Sequence, residues 1–571
     1  MSVELLLKEF HRISEAPDAL PRLKRFFLDL AIRGKLTSPE TTDEPASTLL
    51  KRISVEKAKR NGKDAYRNGL NDAAAPPFQI PQTWVWTVLE SIGLINPKIE
   101  AQDSISASFV PMPMIFPEYG KRNEHEIRRW AEIKKGFTHF AEGDVGLAKI
   151  TPCFENAKST VFRGLTGGIG AGTTELHVVR PIEVVPEYIL IFLKTSYFID
   201  NGIPKMTGTA GQKRVPRDYF AEAAFPLPPL DEQHRIVKKT DELLALCGQV
   251  QEEQRQREAR RAKLVTASLA SLTTAPDEAA FKESARFYFN HLPRLTIGRE
   301  HIQQLRQATL ELGMRGKLVR QNPAEEPAIE ILRKIAIQMG TYSDKTKPQD
   351  SPNAATVSGP FELPKGWAWA RFAQLGKFGR GRSRHRPRND AVLFEGGTHL
   401  FVQTGDVARS RGFIRTFTAK YNDKGLAQSA MWPAGTLCIT IAANIADSGI
   451  LSFDACFPDS VVGFVPSAPL NSAQYFEYFM RTAKAALLDF APATAQKNIN
   501  LGTLDQLLIP LPPLAELGRI VTKLNEVMTI CDDLESQVGK TSQSQACLLE
   551  ATLRDALSSQ GIHTESVTAG A

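Results

Sequence analysis

A chain that contains itself twice has few folds open to it, and this one is written twice. Leu23 to Leu36 reads LKRFFLDLAIRGKL and Leu305 to Leu318 reads LRQATLELGMRGKL, an offset of 282 residues that ends in a shared Arg-Gly-Lys-Leu. At the same offset Glu44-Pro45-Ala46 matches Glu326-Pro327-Ala328, and Ile53 matches Ile335. Further along, Pro77-Phe78-Gln79-Ile80-Pro81 and Trp84-x-Trp86 match Pro360-Phe361-Glu362-Leu363-Pro364 and Trp367-x-Trp369 at an offset of 283. PLPPLDEQHRIV from Pro226 matches PLPPLAELGRIV from Pro510 at 284, a register that persists to Ala267-Ser268-Leu269 against Ala551-Thr552-Leu553. A drift of two residues over so long a span identifies a tandem duplication of about 284 residues. Residues 231–360 read like 515–571 followed by 18–77, so the middle resembles the two ends joined. The arrangement this predicts is closed and pseudo-two-fold, with the chain ends meeting opposite the middle segment.

At 571 residues the chain exceeds one ordinary core and suggests about four structural units at ~150 residues each. Hydrophobic residues at 42% and charged residues at 23% exclude collagen-like and wholly disordered classes. No apolar run reaches the ~18 residues of a membrane span. The opening MSVELLLKEFHR has neither a basic n-region nor a small-residue cleavage site. Cys153, Cys247, Cys438, Cys456, Cys531 and Cys547 lie far apart with no C-x-x-C, which disfavours a zinc site or a disulfide framework. A cytoplasmic protein with reduced thiols and no membrane association is expected. The net charge, 70 − 63 = +7, permits a polyanionic partner without demanding one.

The PLPP strings are expected to begin helices, since proline before the first turn loses no intrahelical bond. Beyond them the spacing is heptad-like. Ile236, Thr240, Leu243, Cys247 and Val250 form one seam, and Ile520, Leu524, Val527, Cys531 and Leu534, continued by Val538, form the other. Steps of four and three predict coiled-coil struts of ~40 residues, roughly 60 Å long, packing on each other. In the first copy Gln254, Arg257 and Arg261 interrupt the seam before Leu264, which predicts a solvated stretch. The RGKL strings end shorter amphipathic helices, with Gly34 and Gly316 as C-terminal stops.

Two diverged blocks, about 82–228 and 365–512, lie between the helices and are rich in Gly and Phe. Strands are expected at Gly143 to Ile150, Glu175 to Val179, Thr436 to Ile441 and Ser460 to Val465, and a helix in each block at Tyr188 to Thr195 and Tyr475 to Thr482. Helices that stay alike around globular blocks that diverge suggest one scaffold presenting two different readers.

The layout resembles the specificity subunit of type I restriction–modification systems. The resemblance rests on the twin PLPPL-x-E-x-x-RIV helices, the twin RGKL helices with downstream EPA, GDVGLAKITPCFENAK from Gly143, and GTLCITIAANIADSGIL from Gly435. It covers nearly the whole chain. One departure is Ala515-Glu516-Leu517 where the first copy has Asp231-Glu232-Gln233. The resemblance implies an α+β fold: two globular α/β target-recognition domains separated by long antiparallel coiled-coil helices, as a pseudo-two-fold tandem repeat. The divisions expected are an N-terminal helical region 1–80, a first recognition domain 81–228, a central helical spacer 229–362, a second recognition domain 363–512 and a C-terminal helix 513–571. Implied partners are double-stranded DNA, two methyltransferase subunits and, through these, restriction/motor subunits.

The residues give no catalytic reading of their own. No (N/D)-P-P-(Y/F) tetrapeptide and no G-x-x-x-x-G-K-[ST] is present. Gly167 to Gly172 (GGIGAG) reads as a turn in a β-like block, the histidines lack ligand spacing, and Glu132 with Lys134 reads as a charged turn. A binding subunit without cofactor or metal is expected, one that catalyses nothing alone. The competing reading is a non-catalytic coiled-coil adaptor with two protein-binding modules.

Candidate DNA contacts fall in three places. Arg380, Arg382, Arg384, Arg386 and Arg388 alternate in GRGRSRHRPR. An extended backbone would put all five on one face, toward phosphates or guanine edges, and a flexible basic loop is the bland alternative. Gln212-Lys213-Arg214 matches Gln496-Lys497-Asn498, both after small-residue loops and before the long helices. Gln suits adenine and Lys a phosphate, while a loop that merely seats each block on its helix fits equally. In the first block Lys121, Arg122, Arg128, Arg129, Lys134 and Lys135 are interleaved with acids, so a solvated surface and a DNA face are both open. Tyr119, Phe137, Phe140 and Phe401 could reach bases, but core packing is the default for such rings.

Overall fold

The computed structural model describes residues 7–61, 76–338, 359–442, 445–489, 499 and 501–558. It divides into two compact units, Met1–Glu258 with Thr541–Ala571, and Ala259–Lys540. Both ends of the chain thus belong to one unit. The long helices run Leu230–Thr274 and Leu514–Ser558, 45 residues each, or about 68 Å. The division falls inside both, so each unit holds the first part of one long helix and the last part of the other.

In the first unit the helix Ala19–Ile32 buries Leu20, Leu23, Phe27, Leu30 and Ala31. They share a core with Ile236, Leu243, Cys247 and Val250 of the first long helix and Leu549, Leu553 and Ala556 of the second. In the second unit Ile302, Leu305 and Ala308 of the helix Arg299–Met314 share a core with Val265, Leu269, Leu272 and Cys531. Ile520 and Leu524 are fully buried nearby, facing Gly313, while Val527, Leu534 and Val538 are partly buried. The seams therefore close on a third helix, the one ending in RGKL, as well as on a long-helix partner. That third contact explains the depth of burial, since a two-helix seam leaves its flanks wet.

The interruption of the first seam is partnered rather than merely solvated. Gln254 Nε2 donates to the Ser14 carbonyl at 2.9 Å, Arg257 pairs with Glu15 at 2.7 Å, and Arg261 Nε donates to the Arg294 carbonyl at 2.9 Å.

The duplication repeats at the level of single bonds. Gly34 and Gly316 stop their helices at φ +66° and +67°, with a proline ring and a tryptophan closing over each. A Cβ at Gly34 would stand 2.4 Å from Pro81 Cγ, so only glycine fits both the conformation and the space. Lys35 Nζ donates to the Leu557 carbonyl at 2.5 Å, and Lys317 Nζ to the equivalent Thr273 carbonyl at 3.0 Å. The RGKL lysine of each copy thus caps the free carbonyls at the end of the other copy's long helix. Arg235 pairs with Asp43 and Arg519 with Glu325, each at 2.5 Å.

Each block is closed at its base by a two-stranded ribbon: Val85–Val88 against Ala224–Leu227 with Trp86 opposite Pro226, and Ala368–Arg371 against Leu508–Leu511 with Trp369 opposite Pro510. The first two residues of each PLPP therefore end a strand, and the helix starts only at Leu230 or Leu514. The prolines thus stand just before each helix, as expected, and the structure adds that the first two residues of each string belong to a strand. The proline carbonyls accept from Tyr188 and Tyr475 hydroxyls at 2.9 and 2.5 Å.

Above the ribbons the two blocks share one topology. In the first, four antiparallel strands run in the order 93–95, 176–181, 145–148, 159–161. In the second the order is 376–380, 461–466, 437–440, 448–451, with 412–414 added parallel at the edge. A further sheet in the first block orders 126–129, 106–110, 169–172, 138–141, and its counterpart 419–421, 399–401, 455–456, 431–432, each with the same antiparallel, parallel, antiparallel sequence of pairings. The expected strands fall at 145–148, 176–181, 437–440 and 461–466, and the expected helices at Pro186–Leu193 and Gln474–Asp489. GGIGAG becomes a turn and the strand Ile169–Gly172. A Cβ at Gly170 would stand 2.4 Å from the Phe140 ring, so the glycines there make room for an aromatic core.

Candidate nucleic-acid interface

In the first block Gln212 and Lys213 sit at the tip of a small exposed loop. Thr207 and Arg214 close it by reciprocal backbone bonds at 3.0 and 2.8 Å, and Gly208 and Gly211 turn it at φ +125° and +79°. The Lys213 carbonyl accepts from both the Thr151 amide and hydroxyl at 2.9 Å, docking the tip on the GDVGLAKITP run. The side chains of Gln212 and Lys213 point to solvent. Arg214 does not join them: its guanidinium is held by Glu175 at 2.9 Å and by the Gln212 carbonyl at 3.0 Å. That hydrogen bonding holds the Glu175 carboxyl below the usual carboxylate range. Arg214 is the clamp of the loop rather than part of its tip. The matching Gln496, Lys497 and Asn498 lie outside the described residues.

In the second block the arginine alternation holds for three residues and then ends. Arg380, Arg382 and Arg384 are exposed, while the intervening Gly381 and Ser383 are buried against the sheet. A Cβ at Gly381 would meet the Phe457 carbonyl at 2.3 Å. Side chains from Gln428 and Ser429 hold the backbone, accepting from the Arg384 amide at 2.6 Å and donating to the Arg382 carbonyl at 2.8 Å. Arg382 and Arg384 have no side-chain ion pair or hydrogen bond among the described residues. Arg380 Nε turns to the Asp459 carbonyl at 3.1 Å. Arg386 folds back onto the Ser383 and His385 carbonyls at 2.6 and 2.8 Å, and Arg388 pairs with Asp459 at 2.7 Å. The single five-arginine face is therefore corrected to a three-residue face with two unengaged guanidiniums. Pairing with His385 at 2.9 Å, chiefly through its hydrogen bond, lowers the Asp390 carboxyl.

The other candidates separate by their partners. Arg128 pairs with Glu126 at 2.6 Å and Lys134 with Asp103 at 2.5 Å. Arg129 and Lys135 are exposed. Phe140 and Phe401 are core residues, Phe137 packs on Phe109 with centroids 5.1 Å apart, and Tyr119 packs partly buried against the first unit's core. In the second block the rings of Phe413 and Phe417 reach solvent, 36% and 37% exposed. The sequence carries a sign of them: from Val407 to Asn422 it has Arg409, Arg411, Arg415 and Lys420 and no acid.

A family profile, the type I restriction modification DNA specificity domain, matches residues 364–541. The chain is 33% identical over 556 residues, 93% of both lengths, to the type I restriction enzyme EcoAI specificity subunit of Escherichia coli. It belongs to the family of type I restriction–modification specificity subunits. The EcoEI specificity subunit of the same organism is 34% identical over 562 residues, 94% of both lengths. A chain solved in work on complex assembly and conformational transition of the type I R-M system shares the fold at a TM-score of 0.51 and 18% identity, over 84% of this chain and 99% of that one. For a specificity subunit, two blocks of equal topology and unequal surface are the natural place to look for target choice. No helix among the described residues is long and apolar enough to cross a membrane.

Proposed function

We propose that this specificity subunit reads a split, asymmetric DNA target, one half with each block, and catalyses nothing itself. In this reading residues 81–228 and 363–512 are the two recognition domains. Residues 1–80, 229–362 and 513–571 form the helical frame on which two methyltransferase subunits dock, with restriction/motor subunits joining through them in the cytoplasm. The observation that carries the reading is the pairing of one repeated topology with two unlike surfaces. Identical frames place two readers equivalently, and unlike side chains give them unlike half-sites. Gln212 and Lys213 in the first block, and Arg380, Arg382, Arg384 and the Gln496-Lys497-Asn498 stretch in the second, are its candidate contacts. Arg214 and Arg386 act on loop shape. Phosphate contacts would supply salt-dependent affinity and base contacts the choice.

The test is modified-base sequencing of cells expressing this subunit with its methyltransferase partner, before and after residues 82–228 are exchanged for those of another family member. One half of the methylated motif should change and the other persist. An unchanged motif, or none in either case, would defeat the reading.

A further inference from the structure

In both blocks the same strand-to-strand connection, 111–125 between strands 106–110 and 126–129, and 402–418 between 399–401 and 419–421, presents aromatic–cation pairs on an anchored backbone. In the second block Arg415 lies over the Phe413 ring at 5.7 Å, and Lys420, on the strand that the connection enters, lies over Phe417 at 5.5 Å. Phe417 is braced edge-on by Phe453 with centroids 5.7 Å apart. Arg411 is exposed, and Arg411, Arg415 and Lys420 have no acidic partner among the described residues. The acids beside the patch are engaged elsewhere: Asp406 with Arg409 at 2.8 Å and Thr418 at 3.0 Å, and Asp454 with the Ala434 amide at 2.8 Å. In the first block Lys121 Nζ stands 3.5 Å over the Phe116 ring, followed by the exposed Arg122.

Each connection is tied down from inside by the hydrogen bonds of a buried polar side chain. Lys194 Nζ donates to the Phe116, Pro117 and Ala157 carbonyls at 3.4, 2.9 and 2.9 Å. Asp406, at the start of the second connection, accepts from Thr418 at its end and from the Gln403 amide at 2.9 Å. The backbone is thus fixed while the side chains above it differ between the blocks. Unpaired cations select a polyanion over an ordinary protein surface. Exposed rings beside them suit thymine methyls and base edges, and the cations suit phosphates or guanine edges.

We propose that this connection is the specificity-determining element of each block, meeting duplex DNA through Phe413, Arg415, Phe417 and Lys420 in the second and Phe116, Lys121 and Arg122 in the first. The proposal rests on the DNA-recognition reading above and adds to it the residues that choose the bases.

The experiment uses the full subunit co-expressed with its methyltransferase partner. The probe is a duplex of about 40 base pairs carrying the motif that sequencing finds for the wild type. Arg415→Gln with Lys420→Gln should weaken binding at least tenfold and reduce the slope of log affinity against log salt by about 0.9 per cation lost. Phe413→Ala with Phe417→Ala should relax or change only the half-motif that survives exchange of residues 82–228. Lys121→Gln with Arg122→Gln should affect only the other half. Unaltered motif and affinity in both second-block variants overturn the inference while wild-type methylation keeps the DNA reading intact. Loss of co-purification with the methyltransferase would assign the patch to protein docking and equally overturn it. A wild type that methylates no motif and binds no duplex removes the reading on which the inference stands.

Discussion

At Glu516 one side-chain difference between the copies bears directly on a buried carboxylate. Trp84 Nε1 donates to Glu232 at 2.8 Å and Trp367 Nε1 to Glu516 at 3.1 Å. Thr37 adds a second donor to Glu232 at 3.3 Å, but its counterpart 282 residues on is Val319. Glu516 Oε1 is left buried with no partner among the described residues, and burial raises both carboxyls. Val319→Thr should therefore stabilise the protein by about 1 kcal/mol and Thr37→Val cost about as much, read by denaturant unfolding. Both effects should fade at low pH, as the carboxylates protonate and stop needing the donor. Lys194 gives a second prediction, set in a higher pH window. Burial pushes its ammonium down to about 7 from 10.5. Between those values the unfolded chain holds a proton that the folded one has released, so folding gains as pH rises. Against Lys194→Met, the wild type should gain up to about 1.4 kcal/mol per pH unit across that window in unfolding experiments. A pH-independent difference would show that the buried amine keeps its charge.

Among the elements, the arginine run shows how far a periodicity can be trusted. Alternation requires an extended backbone held on a sheet; the strand Gly376–Arg380 supplies it, and the alternation of exposed and buried residues runs on only to the buried Ser383 and the exposed Arg384. Beyond that point the chain turns, and Arg386 and Arg388 find carbonyl and carboxylate partners of their own. Arg382→Gln with Arg384→Gln should weaken DNA binding and flatten its salt slope by about 2. Arg386→Gln with Arg388→Gln should act mainly on the stability of the turn. Equal effects of the two pairs in salt-titrated binding would return the run to a flexible basic loop. The seams were legible because heptad spacing depends on local geometry alone. Their third partner was not, because the RGKL helix that covers them is distant in sequence.

For the molecule as a whole, the long helices pass from one unit into the other, and we propose that they fix the gap between half-sites. Seven residues inserted after Glu258 together with seven after Lys540 should lengthen the spacer of the methylated motif or abolish methylation. An unaltered spacer in modified-base sequencing would remove the helices as a ruler.

The sequence alone determined the duplication, its register, the helices that carry it and the family, because repeated side chains and periodic apolar residues are properties of the string. It also predicted that the ends of the chain would belong together, which the shared core of Leu23 and Leu553 bears out. Only the tertiary structure decided which charges are unengaged. Arg214 and Arg382 look alike in one dimension, yet Glu175, 39 residues upstream of Arg214, claims the first and nothing described claims the second. A common topology for blocks whose sequences have diverged was likewise decided in space, since strand order depends on pairings across the chain and tolerates many side chains that keep the same alternation of buried and exposed positions.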